Sequence, residues 1–196
     1  MKVTATMAFA ERKQCERCAA NFVAVTFRLR CAVTAIMIKE KKHRLPREAY
    51  RGFVRASFTA CMENRHDYFL TEQAFKIHEA HLLRALSQHR CASEVYLFMP
   101  DHLHVIITGL GDDSDVYAAM RAFKQYSGFW FGKNQREVHW QEDFYDHILR
   151  QEEDLSKLIT YILNNPVRAG ICERWEDYPF KGSTVFDLKT WAGGIL

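Results

Sequence analysis

The run Met99-Pro100-Asp101-His102-Leu103-His104, continuing into Val105-Ile106-Ile107-Thr108, constrains this chain more than any other stretch. An apolar, β-branched run of this kind reads as a buried strand. Side chains alternate faces along a strand, so His102 and His104 point the same way, with Cα atoms roughly 6.5 Å apart. Leu103, Val105 and Ile107 point to the other face, where a layer of helices can cover them. A sheet that is apolar on one face and carries two imidazoles on the other suits a bound ligand, in the first instance a metal ion.

The rest of the sequence supplies elements to build around that strand. At 196 residues the chain fits one domain with a sizeable core. Residues 22–29 (FVAVTFRL) read as a strand. Leu45-Pro46-Arg47 resembles a helix entry, and Tyr50, Phe53, Val54, Phe58 and Cys61 then recur at three- and four-residue steps, which predicts an amphipathic helix to position 63. Thr71 is an N-cap for a second helix. Residues 95–99 read as a strand, Pro100-Asp101 as a turn, and 102–108 as the next strand. Ser114 or Asp115 caps a helix to position 131, residues 132–138 read as a loop, 140–149 contain a strand, and 154–164 form a helix ended by Pro166. The order β-α-α-β-β-α-β-α implies an α+β, ferredoxin-like sandwich, an antiparallel sheet with helices packed on one face. The expected division is a poorly defined extension over 1–20, one domain over 21–182 and a tail over 183–196.

Charge and cysteine use narrow the setting. The net charge of +3 permits a nucleic-acid partner without arguing for one. The charge is uneven, however: Lys39, Lys41, Lys42, Arg44, Arg47, Arg51 and Arg55 crowd one region, which suits a phosphate backbone or, equally, a solvated face. The six cysteines are scattered, and only Cys15 and Cys18 have a ligand-like spacing, with no second pair to complete a zinc site. Reduced thiols, the lack of a signal-peptide pattern and the lack of a long apolar run lead us to expect a cytoplasmic, nucleoid-associated protein with no membrane partner.

A second constellation lies downstream, in Thr160-Tyr161-Ile162-Leu163-Asn164-Asn165-Pro166-Val167. Tyr161 and Asn165 stand at i, i+4 and share a helix face. A phenol and an amide one turn apart would be aimed together at the histidine pair, and two imidazoles plus the amide oxygen would hold a divalent ion from one side and leave positions open for substrate oxygens. The motifs MPDHLHVII, HWQEDFYDHILR and YILNNPVRAG together resemble the single-tyrosine HUH transposases of the IS200/IS605-like group, and more narrowly their REP-associated tyrosine transposase branch. The resemblance runs from about position 22 to 180. It implies that His102 and His104 bind Mg²⁺ or Mn²⁺ with Asn165 as third ligand, and that Tyr161 is the catalytic nucleophile. It also implies a single-stranded or hairpin DNA substrate, a 5′-phosphotyrosine intermediate, and a monomer or homodimer as the working unit. Some members of the wider group carry glutamine where this chain has Asn165.

Each of these residues has a plainer reading beside the functional one. Tyr126 is the rival nucleophile, or a DNA-contact or packing residue. His147 is a further ligand, a general base or a hydrogen-bonded structural histidine. Asp101 orients an imidazole or simply forms the turn. Lys124, Lys133, Arg136, Arg150 and Arg168 are expected to meet DNA phosphates, and Phe129, Trp130 and Phe131 either stack on unpaired bases or pack into the core. The leading function is a metal-dependent DNA-nicking and strand-transfer enzyme. The alternative is a catalytically silent, hairpin-specific DNA-binding protein.

Overall fold

The computed structural model describes residues 45–150 and 155–191. The strand expected over 22–29, the Cys15/Cys18 pair and the basic residues Lys41, Lys42 and Arg44 lie outside the described residues. Five strands form one antiparallel sheet: β1 (Arg55–Cys61), β2 (Cys91–Met99), β3 (His102–Gly109), β4 (Tyr145–Ile148) and β5 (Lys181–Gly182), in the order β4-β1-β3-β2-β5. The described helices are α1 (Glu72–Gln88), α2 (Val116–Asn134), α3 (Leu155–Leu163) and the single turn α4 (Asn165–Arg168). This is the α+β sandwich expected from the sequence, with the histidine strand at its centre.

Pairing register assigns every side chain to a face, because directly opposed residues in an antiparallel pair project to the same side. Leu103, Val105 and Ile107 share one face with Ala60, Phe58 and Ala56 of β1, and Leu103 with Phe98 of β2. Helices α1 and α2 cover this face. Phe75 of α1 meets the Phe98 ring at 5.5 Å and Phe123 of α2 meets it at 6.2 Å, while the Tyr96 hydroxyl donates to Glu79 at 2.8 Å. His102 and His104 lie on the other face, in register with Cys61 and Met99 and with Thr59 and Leu97 respectively. Leu97 and Met99 are buried there, and α3 packs against β2 with Ile159, Ile162 and Leu163 turned inward.

Both helix starts follow their caps. Thr71 Oγ1 accepts from Ala74 N at 3.2 Å, and Asp115 accepts from Ala118 N at 2.7 Å. Ser114, the other candidate cap, instead bonds the Arg90 carbonyl and the amides of Leu110 and Gly111, tying the loop after β3.

The main correction concerns residues 45–63. The expected amphipathic helix is a single 3-10 turn (Arg47–Tyr50) followed by β1. Ala56, Phe58 and Ala60 are buried while Ser57 and Thr59 are partly exposed, which is a period of two. The three- and four-residue spacing was coincidental: Phe53, assigned to the apolar stripe, is 73 % exposed. Smaller corrections follow the same logic. Strand β2 begins at Cys91, α2 runs on to Asn134, and the strand expected over 140–149 is confined to Tyr145–Ile148, with Trp140 making only an isolated bridge to Met62. Pro166 does not end the last helix outright; it sits in the first turn of α4, where its missing N–H costs nothing. Beyond 182 the chain keeps bonding to β2 through Thr184 and Ser93.

Candidate active site

The two histidines converge through their outer nitrogens. His102 Nε2 and His104 Nε2 are 3.0 Å apart, and each ring is held from behind by its Nδ1. Asp101 Oδ1 lies 2.5 Å from His102 Nδ1, and Thr59 Oγ1 lies 3.0 Å from His104 Nδ1. Asp101 is itself anchored by Arg65, at 3.3 Å from its other oxygen. Burial alone would raise the Asp101 carboxyl, but the hydrogen bond and charge of His102, followed by Arg65, outweigh it and hold the group below its ordinary value. Burial, followed by the charge of His102, pushes His104 down to about 3, so its imidazole is neutral and keeps a lone pair.

Two converging imidazole nitrogens are a donor pair suited to a divalent cation, imidazole being a borderline ligand that does not by itself select the metal. With each Nδ1 engaged from behind by Asp101 or Thr59, the two Nε2 atoms face each other across 3.0 Å, close enough to share one hydrogen bond or, when both are unprotonated, to hold a cation between them. Two nitrogens at that separation, each ~2.1 Å from a shared ion, subtend about 90° there, whereas a tetrahedral pair would stand ~3.4 Å apart. Among the described residues no group of three His, Cys, Asp or Glu side chains gathers around one point.

Asn165 and Tyr161 are carried by the turn from α3 into α4. The Asn165 amide nitrogen donates to the Ile162 carbonyl at 3.0 Å, leaving the amide oxygen as the atom available to a cation. Tyr161 is 46 % exposed, and the Arg168 guanidinium lies 4.3 Å from the centre of its ring. Arg168 is also the last and smallest of the charges that depress His104, so one guanidinium lies within electrostatic reach of both the tyrosine ring and His104.

Several other expected site residues are placed elsewhere. Tyr126, the rival nucleophile, lies on α2, on the opposite side of the sheet from the histidines. Its hydroxyl bonds Gln88 of α1, and Arg84 stacks on its ring at 4.3 Å. The Lys124 ammonium is engaged within the domain: it donates to the carbonyls of Gln141 and Glu142 at 2.6 Å and of Asp143 at 3.2 Å, clamping the loop that leads to β4. Of the aromatic trio, Phe131 is buried and Trp130 packs on the core, while Phe129 is 66 % exposed with Lys133 over its ring at 4.5 Å. Lys133 and Arg136 stand at the end of α2, and Arg150 just beyond β4. His147 shares the histidine face but is paired with Ser57, two strands from His104. Thr59, which orients His104, escaped the sequence reading because its segment was read at a helical period; the alternation Ala56-Ser57-Phe58-Thr59-Ala60 was the signal for it.

Comparison with known proteins gives the family and the fold. The sequence profile of the IS200-like transposases matches residues 54–165, from the start of β1 to Asn165. The chain belongs to this family. A REP-associated tyrosine transposase of Escherichia coli (strain K12) is 27 % identical over 123 residues, covering 63 % of this chain and 72 % of that protein. A Haemophilus influenzae protein provisionally named a REP-associated tyrosine transposase is 27 % identical over 136 residues, covering 63 % of this chain and 76 % of its own. A solved structure of a REP-associated tyrosine transposase bound to a REP hairpin superposes with a TM-score of 0.61 at 24 % identity, covering 72 % of this chain and 81 % of that one. The family consists of enzymes, and the IS200-like profile spans both the histidine strand and the tyrosine helix.

Proposed function

We propose that the protein nicks and rejoins single-stranded DNA at or near REP-type hairpins, with Tyr161 as nucleophile and a divalent cation, Mg²⁺ or Mn²⁺, held by His102, His104 and Asn165. The observation that carries this reading is the 3.0 Å approach of two imidazole nitrogens whose far sides are already bonded to Asp101 and Thr59. Family membership and relatives named as tyrosine transposases support it, as does the hairpin bound to the structural neighbour. The cation, when bound, would polarise the scissile phosphate.

The chain's own residues do the rest. A phenol ionises near pH 10 in water and is a poor nucleophile at neutral pH, so orientation matters most. Arg168 holds the Tyr161 ring from one side. Attack forms the bond from Tyr161 Oη to phosphorus and breaks the bond to the 3′ oxygen, which leaves with a proton as a 3′-hydroxyl; the phenol supplies the matching proton. The resulting 5′-phosphotyrosine keeps the bond energy, so a 3′-hydroxyl can reseal the strand without a nucleotide cofactor. A cytoplasmic location beside the nucleoid, and a monomer or homodimer as the working unit, belong to the same proposal.

Incubating the protein with a labelled single-stranded hairpin and Mn²⁺ tests it. A covalent adduct stable to denaturing electrophoresis is expected, lost on chelation and lost in Tyr161→Phe while hairpin binding is retained. An adduct undiminished in Tyr161→Phe would remove the tyrosine from this role. Hairpin binding with no adduct in the native chain would mark a silent DNA-binding protein.

A further inference from the structure

The outer face of α2 carries features that neither the fold nor the histidine site uses. Its inner face, with Met120, Phe123, Ser127 and Phe131, packs on the sheet. At 100° per residue, Ala118, Arg121, Gln125, Phe129, Gly132 and Lys133 fall on the opposite side. No acidic residue occurs anywhere in α2, and α1 has none after Glu79. Two glycines interrupt the helix although each costs about 1 kcal/mol there. A Cβ at Gly128 or Gly132 would meet nothing within 4 Å, so internal packing does not require them.

Each end of this face has its own structure. Toward the start of α2, a cavity of about 430 Å³ opens over Ala118 and Ala122, walled by Arg47, His89, Arg121 and Gln125. Arg121 has no carboxylate partner among the described residues, unlike Arg47, which pairs with Asp115 at 3.4 Å. Toward the other end, Phe129 is 66 % exposed with the Lys133 ammonium 4.5 Å from its ring centre. About 18 Å of helix separates Arg121 from Lys133.

We infer that the outer face of α2 is a second DNA-contact surface, which takes the unpaired strand flanking the hairpin. This inference rests on the proposed function. Cationic side chains track a phosphate backbone, the glycines let that backbone approach the helix closely, and an exposed aromatic ring offers a stacking partner for an unpaired base. A paired stem presents no free base face to Phe129, and that selects single-stranded DNA over duplex. The surface lies on the far side of the sheet from His102 and His104, so the flanking strand wraps the domain while the scissile phosphate occupies the histidine face.

The test compares the full chain with Phe129→Ala and with the double variant Arg121→Glu, Lys133→Glu. Binding to a fluorescent hairpin with an unpaired extension, and to the same hairpin blunt-ended, is followed by anisotropy without divalent cation. These positions are exposed, so unchanged melting temperatures confirm folding. Phe129→Ala is expected to weaken binding of the extended hairpin by about five- to a hundredfold. The charge reversals should also flatten its salt dependence by about 0.7 in log–log slope per lost contact, leaving the blunt hairpin nearly unaffected. Variants that bind the extended hairpin like the native chain overturn the inference but leave the proposed function standing. Equal losses on both hairpins make the stem the occupant and also overturn it. A native chain that binds neither DNA removes the proposed function and this inference together.

Discussion

Asp101 shows how much one residue can decide. It forms the turn between β2 and β3, accepts from His102 Nδ1 and is pinned by Arg65. Thr59 serves His104 from the neighbouring strand. Partners of this kind fix the ring tautomer and aim the free nitrogen, and their loss commonly lowers metal affinity ten- to a hundredfold. Asp101→Asn is therefore expected to weaken Mn²⁺ binding by about that factor, and Thr59→Val by the lower end of it. Electron paramagnetic resonance titration of free Mn²⁺ reads this directly; a native affinity in Asp101→Asn would show that the turn, not the carboxylate, is what Asp101 contributes. The common face of His102 and His104 was legible in the sequence because strand alternation fixes it, whereas the expectation that Tyr161 and Asn165 share one helix missed the break after Leu163 that puts Asn165 at the start of α4. Arg65 was not legible, since it reaches Asp101 through a turn that only the folded chain creates, and Thr59 was legible only to the extent that its segment is read at a period of two.

Strand β1 is the element on which reading and structure diverged, and its energetics explain why. A short segment with apolar residues at positions 50, 53, 54, 58 and 61 satisfies a helical pattern, and nothing local excludes it. What decides is the pair of hydrogen-bonding edges offered by β3 and β4, together with burial of Phe58 against Phe144 at 5.5 Å. Phe58→Ala should cost about 3–5 kcal/mol in urea denaturation, the toll of a large cavity in a strand interior. Were the segment a surface helix, the cost would fall below about 1 kcal/mol. Helix α2 was easier to read because its cap is local: Asp115→Ala should remove about 1 kcal/mol by leaving the Ala118 amide without its acceptor. Its end lies at Asn134 rather than at position 131, so the first residues of the expected 132–138 loop, Gly132 included, continue the helix. Long-range pairing, rather than local propensity, carried the information the sequence pattern lacked.

Taken whole, the domain is a sheet with the histidine pair on one face and a helix pair on the other, and each face holds a histidine whose pKa burial lowers. His78 of α1 is fully buried, stacked on Phe131 at 4.7 Å and edge-on to Trp130 at 5.3 Å. Its Nδ1 lies 2.9 Å from the Ala74 carbonyl, while Nε2 is buried with no hydrogen-bond partner. Burial pushes its pKa down from 6.5 to about 4, against a smaller upward pull from the Ala74 bond. The folded value lies below the unfolded one, so between them the unfolded chain binds a proton that the folded chain refuses. The stability His78 contributes is therefore present above pH 6.5 and is lost as the pH falls toward 4, by about 2 kcal/mol between pH 7 and pH 5. His104, also depressed by burial, adds to the same trend while no cation is bound. His78→Phe separates the two, since it keeps a ring in the aromatic box and removes only the ionisable group. Urea denaturation of both proteins at pH 7 and pH 5 should show the variant losing about 2 kcal/mol less than the native chain on acidification. An equal loss in both would place the acid sensitivity on the histidine face and leave His78 a purely apolar filler between α1 and α2.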